Sequence, residues 1–182
     1  MKRTELEHII RAVAAITNRY EVVVIGSQSI LGAAPGAPDS LLQSMEADIY
    51  CLPYDEALSD LIDGSIGEES PFHALHGYYA QGVGPETAVL PAGWQERLVK
   101  VQNQNTDLKI GYCLDPTDLA ASKLAAGREK DGPFVATLLS TGLIEAQRLQ
   151  ERLLMLPLDA QRIQRMVQWV AARSTGQSLI YP

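Results

Sequence analysis

The amino-acid sequence predicts an α+β protein: a small mixed sheet flanked by helices, followed by a helical C-terminal third packed on it. Three observations predict this. The run Val22-Val23-Val24-Ile25 is β-branched, short and apolar on every residue, the pattern of a strand buried on both faces. A second strand-like run, Ala47-Asp48-Ile49-Tyr50-Cys51-Leu52, ends at Pro53. From Asp115-Pro116 onward, apolar residues recur at helical spacing almost to the end, with no strand-like run. The expected division is therefore a sheet-bearing core over residues 1–115 and a helical region over 116–182.

In order along the chain, Thr4-x-x-Glu7 has capping-box spacing, and Leu6, Ile9, Ile10, Val13 and Ala14 follow at helical period. This predicts an amphipathic helix to about Arg19. After the first strand, Ser27 to Leu31 begins a second helix, which cannot continue through Ala33-Ala34-Pro35-Gly36-Ala37-Pro38-Asp39. Tyr54 to Asp63 places Leu58, Leu61 and Ile62 on one helical side. Residues 64–93, rich in Gly, Pro and His, carry no readable period. Trp94–Val101 and Leu108–Leu114 read as two strands joined by the polar turn Asn103-Gln104-Asn105-Thr106. Asp115-Pro116-Thr117-Asp118 is a helix start, with a capping Asp, Pro at the first helical position and an acid in the first turn. Later stops fall at Gly127, Asp131-Gly132-Pro133, Gly142, Pro157 and Ser174-Thr175-Gly176. The stripe Leu149, Leu153, Leu154, Leu156, Ile163, Met166, Val167 and Val170 reads as core.

Composition narrows the class. The 182 residues are 46% hydrophobic and 20% charged, which supports an ordinary core without staples. Cys51 and Cys113 lie in apolar runs and read as buried thiols of a reducing compartment. The charged N-terminus lacks a signal-peptide core, and no apolar run approaches the about 20 residues of a membrane span. A cytoplasmic location without membrane association is expected. The net charge of −7 is uneven: residues 1–119 hold seven Lys/Arg against seventeen Asp/Glu, and residues 120–182 hold eight against five. The acidic part repels nucleic acid, while the basic part leaves room for one phosphate-binding face or a solvated helical surface.

The central constellation is a strand, then Gly26-Ser27, then a helix, then Glu46-Ala47-Asp48 on a second strand. Alternation puts Glu46 and Asp48 on one face, one pleat apart. Neighbouring carboxylates repel, and a hard cation such as Mg²⁺ relieves that repulsion. A Gly-Ser turn at a helix N-terminus offers N–H groups and a hydroxyl to a phosphate. Together these describe a site for a nucleoside triphosphate and Mg²⁺.

Gly26-Ser27, a spacer and an acid-x-acid strand resemble the signature of the polymerase-beta-type nucleotidyltransferase superfamily. The segment Asp118-Leu119-Ala120-Ala121-Ser122-Lys123-Leu124-Ala125-Ala126-Gly127-Arg128-Glu129-Lys130-Asp131 resembles bacterial nucleotidyltransferase-like proteins related to abortive-infection and type IV toxin–antitoxin toxins. The resemblance covers residues 20–140 in motif order. It implies a nucleotidyltransferase fold, metal binding by Glu46 and Asp48, and a need for Lys123 and Asp131 in activity. Two departures stand out. Glu46 replaces the commoner first Asp, and the third strand carboxylate of the superfamily is absent from Arg97–Gln102 and Leu108–Tyr112. Either Asp131 or Asp107 substitutes, or two acids and phosphates hold the metal, or catalysis is lost.

Read physically, the helix from Asp115-Pro116 contains Lys123 and, if it runs past Gly127, brings Lys130 onto the same face two turns on. Lys123, Arg128 and Lys130 then present cations to a triphosphate. Asp131, before Gly132-Pro133, suits a helix N-cap as well as a catalytic role. His73-x-x-His76 lacks a third ligand for zinc, and Ser27 and Ser29 lack a nucleophile-elbow context. The expected activity is Mg²⁺-dependent transfer of a nucleotidyl group from an NTP to an RNA hydroxyl, tRNA included, or to a protein hydroxyl. The resemblance adds a toxin role with a cognate antitoxin as partner. The alternative is a catalytically degenerate protein of this fold that binds a nucleotide or a protein partner.

Overall fold

The computed structural model describes residues 1–174, which form two compact units. One comprises Met1–Thr87 and Leu98–Asp115; the other comprises Ala88–Arg97 and the chain from Pro116 onward. The predicted stop at Ser174-Thr175-Gly176 lies outside the described residues after Ser174.

The first unit carries a five-stranded mixed sheet. Its strands are β1 (Glu21–Ile25), β2 (Glu46–Leu52), β3 (Tyr79–Gly82), β4 (Val99–Val101) and β5 (Ile110–Cys113), in the spatial order β3-β2-β1-β5-β4. β1 runs antiparallel to β2 and parallel to β5; β2 and β3 are parallel, and β4 and β5 antiparallel. Val22–Ile25 are all buried, as a central strand demands, and each such side chain contributes roughly 1.5–3 kcal/mol of burial.

Helices α1 (Arg3–Thr17), α2 (Ile30–Ala33) and α3 (Glu56–Ile66) cover one face of the sheet. Ladder partners share a face, so Val22, Val24, Ile49, Cys51, Gly111 and Cys113 point the same way. That side meets the helices: Ile10 packs on Gly111, Gly32 on Cys113, and the Cys51 thiol donates to the Thr17 hydroxyl at 3.4 Å. Glu46, Asp48 and Tyr50 therefore lie on the opposite face. Both cysteines are buried free thiols, and burial pushes Cys113 up to about 12.

Two local expectations need correction. The first helix starts at Arg3, where Glu5, not Glu7, accepts the Lys2 N–H at 2.6 Å. Glu7 is buried and receives Arg3, Asn103 and Asn105 instead, which ties α1 to the turn before β5. Burial raises the Glu7 pKa, but these donors outweigh it and hold the carboxyl below its usual range. Trp94–Arg97 forms a 3-10 turn rather than strand, so β4 has three residues. In the uncharted stretch lie α4 (Pro71–His76), started by the Ser70 hydroxyl on His73 N–H, and β3.

The second unit is helical: α5 (Pro116–Ala126), α6 (Asp131–Ser140), α7 (Ala146–Leu153) and α8 (Ala160–Ser174). Its core holds Leu119, Leu124, Val135, Leu138, Leu149, Leu153, Met166, Trp169 and Val170, whereas Leu154 is exposed. The segment before β4 joins this unit through Ala92 N–H on Met155 C=O at 3.0 Å. Among the described residues, no helix is long and apolar enough to cross a membrane.

Candidate functional site

The antiparallel ladder places Ile25, the last residue of β1, opposite Asp48. Gly26 follows at φ 68° and ψ −169°, a region open essentially to glycine alone. A Cβ built on Gly26 would stand 1.8 Å from Asp48 Oδ2, so the carboxylate occupies the space a side chain would need. Two independent constraints thus require glycine here, and the second sets the Asp48 carboxylate against the Gly26-Ser27 turn. Ser27–Ser29 is a 3-10 turn leading into the four-residue α2, not the start of a long helix. Any anion affinity at this turn therefore comes from local N–H groups and the Ser27 side chain, without a long helix dipole behind them. The Ser29 hydroxyl is committed to Gly26 C=O at 2.8 Å. Gln28 is fully buried, and neither its Oε1 nor its Nε2 has a hydrogen-bond partner among the described residues.

Glu46 and Asp48 are both half-exposed and lie on the same face of β2. The strand beside them is β3, in register Glu46↔Tyr79 and Asp48↔Gln81. β3 contains no acid. It supplies the Tyr79 hydroxyl, which donates to Glu46 Oε2 at 3.1 Å. Burial first, then the Glu46, Glu68 and Asp48 charges, push the Tyr79 phenol up to about 12, so it is a donor at neutral pH. Among the described residues, no group of three or more His, Cys, Asp and Glu side chains is placed to hold a metal ion. The donor set is thus two carboxylates, one pinned over a glycine turn and one steadied by a phenol. Such hard oxygen donors fit Mg²⁺, which commonly takes one or two protein carboxylates plus substrate phosphates.

The helical unit holds the second set of candidates. Lys123 is 4% exposed and its ammonium lies 3.3 Å from Asp131 Oδ1 and 5.1 Å from the centre of the Phe134 ring. Burial pulls the ammonium below the usual lysine range, with Arg128 and Lys130 acting the same way and Asp131 opposing. α5 ends at Ala126, and Gly127 turns the chain at φ 69°, so the helix does not carry Lys130 onto the Lys123 face. Lys130 is instead the exposed N-cap residue of α6. Asp131 is the first residue of α6 rather than its cap, and its Oδ2 accepts from Arg128 N–H at 3.1 Å and Arg128 Nε at 3.0 Å. Its carboxylate is fully buried, closing the turn between α5 and α6.

A model of a family described as "Nucleotidyltransferase of unknown function" (DUF6036) matches residues 3–172. The chain belongs to this family. No curated protein and no solved structure gives a match. For this nucleotidyltransferase family member the match extends across both the acid-pair strand and the Lys123–Asp131 segment.

Sequence reasoning missed two groups in this family member. Tyr79 was hidden because β3 is four residues long, contains Gly82 and is recognisable only by its pairing with β2. Asp118 read as a first-turn acid. It is fully buried, forked by Arg97 at 2.7 and 3.2 Å and met by Arg152 Nε at 3.1 Å. Its partners stand far along the chain, beyond any local pattern. The His73-x-x-His76 pair does not converge: His73 Nδ1 accepts Glu69 N–H while its ring packs on Tyr79, and His76 packs on Phe72 and His8.

Proposed function

We propose that this chain binds a nucleoside triphosphate at the Gly26-Ser27 turn, with Mg²⁺ on Glu46 and Asp48, and transfers a nucleotidyl group to an acceptor hydroxyl. The observation that carries the reading is Asp48 Oδ2 lying in the space of the missing Gly26 side chain. It ties the acid strand to the glycine turn in one compact unit, and family membership supplies the reaction class.

When bound, Mg²⁺ would neutralise phosphate charge and act as a Lewis acid. Gly26 and Ser27 would bring N–H groups and a hydroxyl close to the phosphates, because glycine leaves no side chain in the way. Asp48 and Glu46 would orient around the cation from one strand face. In the transfer itself, a bond forms between the acceptor oxygen and the α-phosphorus. The bond from that phosphorus to the β-phosphate bridge breaks, pyrophosphate leaves, and the acceptor proton passes to solvent. In the helical unit, Arg128 and Lys130 are exposed cations on a turn braced by Lys123 and Asp131, which makes them that unit's candidates for phosphate contact.

RNA, tRNA included, is the acceptor we favour over a protein hydroxyl. The balance of eight Lys/Arg to five Asp/Glu from residue 120 onward supports it, with Arg148 and Arg165 exposed. The resemblance of the Lys123–Asp131 segment supports a toxin role countered by a cognate antitoxin. A second reading, nucleotide binding without turnover, is favoured by the lack of an acid on β3. The experiment is incubation with each labelled NTP, Mg²⁺, total tRNA and cell extract, alongside calorimetry of NTP binding. Labelled RNA at low salt, diminishing at high salt, is expected. Labelled protein alone would replace the RNA acceptor, and binding without any labelled product would favour the second reading.

A further inference from the structure

The acid pair has a neighbour whose place the proposed transfer does not explain. Tyr79 stands beside Glu46 in the β2–β3 ladder and is only 8% exposed. Its hydroxyl reaches Glu46 Oε2 at 3.1 Å, and Glu46 is half-exposed on the face it shares with Asp48.

Tyr79 is itself held by its backbone and by its ring. Its backbone N–H is fixed to Met45 C=O at 3.0 Å, one residue before Glu46. Its ring packs against the His73 ring, with centroids 4.7 Å apart. The His73 ring is anchored in turn by Glu69 N–H on Nδ1 at 3.1 Å, at the start of α4. A flexible glutamate on a half-exposed strand face would otherwise sample several rotamers, and each must be given up when the side chain takes a ligand. A rigid donor on one oxygen removes much of that freedom in advance and leaves the second oxygen to a ligand.

We infer that Tyr79 is a positioning residue: its hydroxyl fixes Glu46 so that the Glu46–Asp48 pair meets a divalent cation in one arrangement. The inference rests on the acid pair binding a cation, as proposed above. It assigns a purpose to the His73 position and to β3, the edge strand that pairs with the acid strand. Tyr112 is a built-in control. Its hydroxyl lies 3.3 Å from Glu21 Oε1 on the same sheet, outside the acid pair.

The test is Mn²⁺ binding, read from the free-ion electron paramagnetic resonance signal, with Mn²⁺ alone and with a non-hydrolysable ATP analogue. Tyr79→Phe should weaken Mn²⁺ binding about tenfold, the usual order for removing a partner of a ligating carboxylate. Tyr112→Phe should leave it unchanged. On a Glu46→Gln background, Tyr79→Phe should have no further effect, because the carboxylate it serves is gone. Circular dichroism of each variant reports folding, and His73→Ala, which removes the ring packed on Tyr79, replaces Tyr79→Phe if the latter misfolds and should weaken Mn²⁺ binding in the same direction. Unchanged binding in Tyr79→Phe, with Asp48→Asn abolishing it, would overturn the positioning role while leaving the acid pair intact. Unchanged binding in both variants would overturn the site assignment itself.

Discussion

The sheet unit and the helical unit each hold two notable acids, and they treat them in opposite ways. Asp118 and Asp131 are fully buried and each is matched by two cations: Arg97 and Arg152 for one, Lys123 and Arg128 for the other. Glu46 and Asp48 are half-exposed, set one pleat apart on one face, with a phenol on Glu46 and a glycine beneath Asp48. The first arrangement neutralises charge inside the protein and holds a fold together. The second sets two carboxylates side by side on a half-exposed strand face, where like charges repel. On the function proposed above, the second pair is the one that meets a cation.

The largest effect that sharpens this contrast is expected at Asp118. Asp118→Ala leaves Arg97 and Arg152 facing a buried void, and should destabilise the protein by about 4 kcal/mol in urea denaturation. A loss below about 1 kcal/mol would show that the two arginines are satisfied elsewhere and that the buried pair is not structural.

Next comes Gly26. Gly26→Ala forces a side chain into a glycine-only conformation and into Asp48 Oδ2. A loss of about 3 kcal/mol is expected, together with displacement of the Asp48 carboxylate and loss of cation affinity. Full retention of cation affinity would separate the turn from the acid pair.

A smaller effect of opposite sign is expected at Gln28, whose buried amide has no partner among the described residues. Gln28→Met keeps the volume and removes the unmatched polar atoms, and should raise stability by about 1 kcal/mol in thermal and urea melts. Destabilisation would show that the amide is satisfied in the folded protein.

Much of this contrast was legible in the sequence on one side only. Val22–Ile25, the Glu46-x-Asp48 alternation and the helix start at Pro116 are local patterns, and each stands where the residues predict. The Gly26–Asp48 approach follows from the strand order Gly-Ser then acid-x-acid once the two strands pair. What was not legible depends on distant partners. Arg97 and Arg152 meet Asp118 from other elements, and Tyr79 meets Glu46 only through a four-residue parallel strand. Lys130 was placed on the Lys123 face only if the helix ran past Gly127; Gly127 takes a left-handed turn there and ends it, as a stop at that residue predicts.

The central claim is that Glu46 and Asp48 form a cation and nucleotide site rather than part of the scaffold. Asp48→Asn tests it most directly when stability and binding are measured on the same sample. The variant should stay folded, with a cooperative urea transition, while Mg²⁺-dependent NTP binding disappears from the calorimetric trace. A large loss of stability with NTP affinity intact, or NTP affinity that ignores both the substitution and EDTA, would contradict the account.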